Sequence, residues 1–258
     1  RDLLLLFLLN IACSACFFYP VLGKLNTVLM SIGGDGIKNY FCYLYYIRYD
    51  RGTHFTGMNY PFGENILFTD NMPLLAWSII QLKTWFLGIA DYGLVLMHST
   101  FLISYFLCSF YLYKILRLFR VNGWWAVLSA VFIAYFSPQF FRLLAHFSLG
   151  LTCFFPMIIY WIMQYERSRK PKYLLYFFIL TVLFTFLHVY YLAFTLVLTL
   201  AYSFAYCIGK HSSLLKKVKY VTPLLATAAV AVLPLKGYLL LTDKVTDRPA
   251  NPYGYGGA

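Results

Sequence analysis

Charge is what this sequence has least of. Only 12% of its 258 residues are Asp, Glu, Lys or Arg, against about 25% in an ordinary soluble domain. A soluble globule with so little polar material could not cover its own surface, and intrinsic disorder, which needs low hydrophobicity and high charge, is excluded on the same ground. With 61% hydrophobic residues and a mean hydropathy of +0.68, the remaining class is an integral membrane protein. Acid is scarcer still: nine acidic residues face 21 basic ones, a net charge of +12. In a soluble chain that excess would point to nucleic acid; here membrane topology explains it better, and no nucleic-acid partner is expected. Cysteine is also sparse. All of the six except Cys42 lie in apolar stretches, so no disulfide framework follows. Cys13 and Cys16 form a C-x-x-C, but inside an apolar helix without a thioredoxin-like strand pattern. Internal repeats and low-complexity tracts are absent too.

What is present is a series of long apolar runs. A bilayer core about 30 Å thick needs ~20 mostly apolar residues per helix, and seven runs are read as spans: Leu3 to Leu22, Tyr92 to Leu116, Trp124 to Phe141, Phe147 to Tyr165, Tyr173 to Leu187, Tyr191 to Ile208 and Tyr220 to Leu241. The first is long and lacks a small-residue cleavage site, the pattern of a retained helix. Lysine and arginine set the orientation. Lys114, Arg117 and Arg120 follow the second run, Arg167, Arg169, Lys170 and Lys172 the fourth, and Lys210, Lys216, Lys217 and Lys219 the sixth. Those connections and the amino terminus are therefore expected inside. Asp35, Asp50, Glu64, Asp70, Asp91, Asp243 and Asp247 then fall outside, leaving only Asp2 and Glu166 within. Acidic residues contribute little to topology, so their segregation is independent of the rule used. It places the chemistry outside.

Residues 1–241 thus read as one polytopic domain with a long external connection over 23–90, and 242–258 as the start of an external segment. A chain that begins Arg-Asp-Leu and ends in a glycine-rich stretch reads as an ordered part of something larger. Within the long connection, Ile37 to Tyr49 has an aromatic and apolar face suited to the membrane interface, and Met72 to Leu87 reads as a second interfacial helix. Gly33-Gly34-Asp35-Gly36 precedes the first of these. Asp35 fits an N-cap flanked by turn glycines; the same geometry would keep a carboxylate ionised as a general base or cation ligand. A divalent ion held by Asp35 with another carboxylate is compatible with these residues, but no fixed metal motif points to one.

Further along lie His54, Asn59 and Glu64 in HFTGMNYPFGE, then Asp70 in TDNMP. Proline and glycine punctuation describes an ordered loop, while the mix of carboxylates, imidazole, amide and aromatics suits the holding of a sugar or headgroup. Arg142 and His146, one turn apart if the segment is α-helical, would share a face and grip a phosphate, or Arg142 would simply anchor at the interface. His188 marks another outer turn. Arg248, with Asp243, Lys244, Asp247, Asn251 and Tyr253, follows the last run and could close a site from above or begin an external domain. His98, inside the second run, is a functional candidate without a nameable partner.

A first helix, a long outer loop opening on an acidic residue, and paired helices with short connections together resemble the type C glycosyltransferases, membrane enzymes that use polyprenyl-phosphate-linked sugars. Gly34-Asp35-Gly36 stands where that family has its first-loop acidic motif, and GMNYPFGE, TDNMP and DRPANPYG look like a bacterial subgroup of uncharacterised membrane proteins related to it. The resemblance implies an inverting sugar transfer on the outer face of a bacterial inner membrane, from a lipid-phosphate donor to an acceptor it does not identify. Asp35 would be the catalytic base. Arg142, His146 and Arg248 would bind the donor phosphate, and His54, Asn59, Glu64, Asp70 and His188 the substrate hydroxyls. Family members generally carry further helices or an external domain. The alternatives are a lipid or small-molecule transporter, which should show inverted repeats or broken helices with midplane charges, and a non-catalytic membrane subunit.

Overall fold

The computed structural model describes residues 1–144, 146–209 and 213–244. It is an all-α integral membrane protein in which, among the described residues, the one β element is a two-residue hairpin pairing His54 with Asn65 and Phe55 with Glu64. Five stretches are long and apolar enough to cross a membrane: Asp2–Leu22, Leu87–Leu118, Gly123–Leu143, Tyr190–Gly209 and Leu214–Thr242. In order, the helices are α1 (Asp2–Leu22), α2 (Gly34–Tyr49), α3 (Pro73–Lys83), α4 (Gly93–Leu118), α5 (Gly123–Tyr135), α6 (Phe154–Ser168), α7 (Pro171–Thr185), α8 (Tyr190–Gly209), α9 (Leu214–Val230) and α10 (Val232–Thr242).

Helix ends follow proline and glycine chemistry. The expected span to Phe141 falls within the stretch Gly123–Leu143, but not as one α-helix: Pro138 cannot continue an α-helix and restricts Ser137 before it, so α5 ends at Tyr135 and Pro138–Leu144 is a 3-10 turn. The expected run Phe147 to Tyr165 is likewise divided. Phe147–Gly150 forms a 3-10 turn and α6 starts only at Phe154, because Gln139 Nε2 donates to the carbonyls of Leu149 (2.8 Å) and Leu151 (3.3 Å) and draws this stretch into the end layer. At 15 residues each, α6 and α7 are about 22 Å long by a 1.5 Å rise, shorter than a hydrocarbon core. The last run is broken at Ala231, where Pro234 leaves the Val230 carbonyl without its helical donor.

Polar side chains hold the helices together where apolar contact with lipid offers no advantage. Ser109 Oγ donates to Asn10 Oδ1 (2.9 Å), the Tyr135 hydroxyl donates to the Asn10 carbonyl (3.0 Å), and Ser14 Oγ lies 2.7 Å from that hydroxyl, tying α1 to α4 and α5. Between α7 and α8, Thr181, Thr185, Thr195 and Thr199 are buried, with each hydroxyl donating one turn back to a helix carbonyl, so small side chains pack closely and leave no hydroxyl stranded. Tyr135→Phe should cost about 0.6–1.7 kcal/mol of stability, the range for interhelical hydrogen bonds in membranes. Tyr105→Phe should cost nothing, because the buried Tyr105 hydroxyl has no hydrogen-bond partner. Unfolding of the purified protein in detergent compares them; equal losses would show that the Tyr135 bonds carry no stability.

The two ends of the bundle differ in charge. Arg117 donates to the Val121 carbonyl (2.7 Å), Arg167 to the Leu118 carbonyl (3.4 Å) and Arg169 to the Tyr206 hydroxyl (3.0 Å), while Tyr113 donates to Asp2 (3.3 Å). The start of α1, the basic connections α4–α5 and α6–α7 and the carboxyl-terminal part of α8 therefore meet at one end. At the other, the Leu74 N–H donates to the Phe186 carbonyl (2.7 Å) and Asn65 Nδ2 to Thr242 (3.2 Å). This end gathers α2, α3, the hairpin, the 3-10 turns and the α7–α8 connection.

The helix α2 is more deeply set than an interfacial helix. Tyr40, Tyr43, Tyr46 and Ile47 are buried on one face while Ile37, Phe41 and Tyr49 remain exposed. Lys83, at the end of α3, donates to the carbonyls of Ile47 (3.2 Å) and Arg48 (3.1 Å) and so completes the carboxyl end of α2. His98 finds its partner here. Its Nε2 is 2.7 Å from the Tyr40 hydroxyl and its Nδ1 2.9 Å from the Leu25 carbonyl. A carbonyl can only accept, so Nδ1 carries the proton and Nε2 accepts from Tyr40. Burial pushes the Tyr40 phenol up to about 12, keeping that proton in place. His98 is a tether that fixes α2 against α4.

Candidate functional site

Asp35 does not cap α2. Gly33 is the N-cap residue, without a side-chain cap bond, and Asp35 lies in the first turn. Gly34 has a φ of +52° with open space where a Cβ would stand, so conformation rather than crowding calls for glycine there. Freed from capping, the Asp35 carboxylate faces an ammonium and an imidazole: Lys38 Nζ at 3.7 Å and His146 Nε2 at 3.6 Å. Lys38 also lies 3.7 Å from Asp70, and His146 Nδ1 lies 4.0 Å from the same carboxylate. His188 Nε2 approaches Asp70 Oδ1 at 3.4 Å. Four separate parts of the chain thus converge on one cluster.

Backbone shape puts Asp70 at its centre. Asp70 and Met72 have φ values of +56° and +53°, a left-handed reversal after the 3-10 turn Ile66–Phe68 that delivers the carboxylate before α3 begins. Its side chain is only 15% exposed, against 48% for Asp35. The His188 approach lacks hydrogen-bond alignment, and Asp70 Oδ1 is buried without a hydrogen-bond donor. The Tyr190 N–H donates to His188 Nδ1 (3.2 Å), which places the His188 proton on Nε2, toward Asp70.

Lys38, Asp70, Arg142, His146 and His188 form the polar side of a cavity of about 700 Å³, with Phe68, Tyr190 and Phe194 among its apolar lining; Asp35 is not part of that lining and stands at its edge, beside Lys38 and His146. Arg142 and His146 reach it together, though not by the shared helical face expected. Arg142 sits in the 3-10 turn and His146 beyond it, so the end of α5 at Pro138 brings them to the cavity. An apolar groove of about 260 Å³ adjoins it at Leu67, which lines both, and runs past Pro73, Leu74, Trp77, Phe186 and Tyr238.

The remaining sequence candidates lie elsewhere or serve the frame. His54 lines a separate cavity beside Asn65 and Thr242. Asn59 Nδ2 donates to the Gly63 carbonyl (3.3 Å), closing the hairpin turn. Glu64 is buried, with Oε1 accepting from the Asn65 N–H (2.7 Å). Arg248, Asp247, Asn251 and Tyr253 lie outside the described residues. Lys38 was not among the sequence candidates; its only signal is the i, i+3 spacing from Asp35 in GDGIK. Cys42, on the same helix, is pushed up to about 11 mainly by burial, which removes it as a nucleophile.

A resident divalent ion does not fit this cluster. The position between Asp35 and Asp70 where two carboxylates would share a cation is taken by the Lys38 ammonium, 3.7 Å from each, and no group of three His, Cys, Asp or Glu side chains among the described residues is disposed to hold a metal. The ion pairs have little value for folding. Exposed pairs contribute at most about 1 kcal/mol, and the Asp35 and Lys38 side chains are nearly half exposed. Two carboxylates, two imidazoles, a lysine and an arginine around one cavity can bind an anion, accept hydroxyl hydrogen bonds and take up a proton.

No curated protein and no solved structure matches the chain. A family pattern does, over nearly its whole length: the chain belongs to the family described as a domain of unknown function, DUF6311, which it matches over residues 7–256.

Proposed function

We propose that the protein is a membrane glycosyltransferase of the type C kind, moving a sugar from a polyprenyl-phosphate donor to an acceptor hydroxyl. One observation carries the reading: a polar cavity with cationic and carboxylate groups and an apolar groove lie on either side of a shared lining residue, Leu67, at the same end of a membrane bundle. A charged headgroup joined to a hydrocarbon chain matches that pair of compartments. In this reading the helices pass seven times, counting α6 and α7 as short spans and α9 with α10 as one. The basic end faces the cytoplasm by the positive-inside rule, and the cavity faces outward.

Arg142 and Lys38 hold the lipid phosphate by charge-assisted hydrogen bonds, which strengthen as negative charge develops on the departing phosphate. Asp35, the more exposed carboxylate, accepts the proton of the acceptor hydroxyl as its oxygen attacks the anomeric carbon. The bond from that carbon to the phosphate oxygen breaks on the opposite face, and the configuration inverts. Asp70 keeps Lys38, His146 and His188 in place.

Binding of the lipid product tests the reading. Polyprenyl phosphate should raise the thermal transition of the purified protein saturably, and Arg142→Ala should weaken that binding at least about tenfold, the loss of one charged hydrogen bond. A transition indifferent to polyprenyl phosphate would remove the lipid-phosphate donor. Unchanged affinity in Arg142→Ala would return Arg142 to interfacial anchoring.

A further inference from the structure

The cavity beside His54 is distinct from the Asp35 cluster. It measures about 500 Å³ and is lined by Arg51, His54, Phe62, Asn65, Thr242 and Lys244 among others. Three of these can carry positive charge, and no carboxylate lines it among the described residues. Of the acidic residues near them in sequence, Asp50 accepts from the Thr56 N–H (2.8 Å) and hydroxyl (2.6 Å), Glu64 accepts from the Asn65 N–H, and Asp243, beside Lys244, does not line the cavity. Neither Arg51, His54 nor Lys244 has an ion-pair partner among the described residues.

The walls are built rather than incidental. The hairpin pairs His54 with Asn65, the Ile66 N–H donates to the Thr53 carbonyl (3.0 Å), and Asn65 ties the hairpin to the end of α10 through Thr242. Gly63, at φ +70°, lies so close under the His54 ring that a Cβ would stand 2.3 Å from Nε2. Both the backbone conformation and the seating of the imidazole require glycine there. Cations from the end of α2, the hairpin and the end of α10 are thereby brought around one opening.

We infer that this cavity binds a phosphate- or carboxylate-bearing ligand. Uncompensated cations on rigid supports favour an anion by Coulomb attraction and by charge-assisted hydrogen bonds, and the volume leaves room for more than the anionic group. The same chemistry could be presented by a lipid headgroup at the membrane surface or by a water-soluble acid. The inference does not depend on sugar transfer.

The test uses the full chain carrying Arg142→Gln with Lys38→Gln, which removes both anion contacts assigned to the first cavity, in nanodiscs of phosphatidylcholine. The thermal transition is titrated with inorganic phosphate and, separately, with short-chain phosphatidylglycerol. Saturable stabilisation by either is expected, weakened at least about tenfold by Arg51→Gln with Lys244→Gln. Gly63→Ala, which retains both charges but displaces His54, should weaken it in the same direction, and it decides the matter should the double variant fail to fold. A response to phosphate marks a site open to soluble acids; a response to phosphatidylglycerol alone marks a headgroup site. No saturable response to either probe, or an affinity unchanged in these variants, would overturn the inference.

Discussion

Asp35→Asn is expected to lower sugar transfer by about 10²–10⁴-fold, the range for removing a positioned general base, with the fold and expression level unchanged. The asparagine keeps the shape and can still accept from Lys38, but it cannot take the acceptor proton. Nothing in the frame depends on the charge: the Asp35 side chain is half exposed, makes no cap bond, and pairs with Lys38 and His146 only at 3.7 and 3.6 Å. A loss in kcat with the donor KM preserved is the signature of a group that acts on the acceptor. Full activity in this variant would take Asp35 out of the chemistry.

Asp70→Asn should act differently. Aspartate and asparagine both tolerate the left-handed conformation at φ +56°, so the turn before α3 is retained. What disappears is the charge that Lys38, His146 and His188 share. Without it Lys38 and His146, which line the cavity with Arg142, lose their common anchor, and the donor KM should rise about 10–100-fold, equivalent to roughly 1.4–2.8 kcal/mol. Steady-state kinetics with the donor varied would separate this from Asp35→Asn. A fall in kcat at constant donor KM would instead make Asp70 the proton acceptor.

The membrane class and the main helices were legible because apolar run length is a direct requirement of the bilayer. So were Asp35, Asp70, Arg142, His146 and His188, since charged or titratable residues at the acid-rich ends of apolar runs are few. Their convergence was not legible. It depends on the left-handed turn at Asp70, the break at Pro138 and the α7–α8 connection, none of which periodicity reports. Pro138 itself signalled the end of α5; hydropathy alone carried the expected span past it. Phe147 to Tyr165 read as one run because its interruption rests on Gln139, whose side chain captures two carbonyls from across the connection. His54 and Glu64 fall between Asp35 and Asp70 in sequence, yet the hairpin gives them other surroundings. Lys38 was hidden within an amphipathic pattern, and the partner of His98 lies on another helix, a relation that tertiary packing alone creates.

The most direct measurement is the release of free polyprenyl phosphate from lipid-linked sugars in native membranes, which supply the acceptor, comparing the wild-type chain, Asp35→Asn and membranes lacking the protein. Release with the wild type that falls to the background level in Asp35→Asn is the expected result. Equal release from all three membranes would contradict sugar transfer at this site.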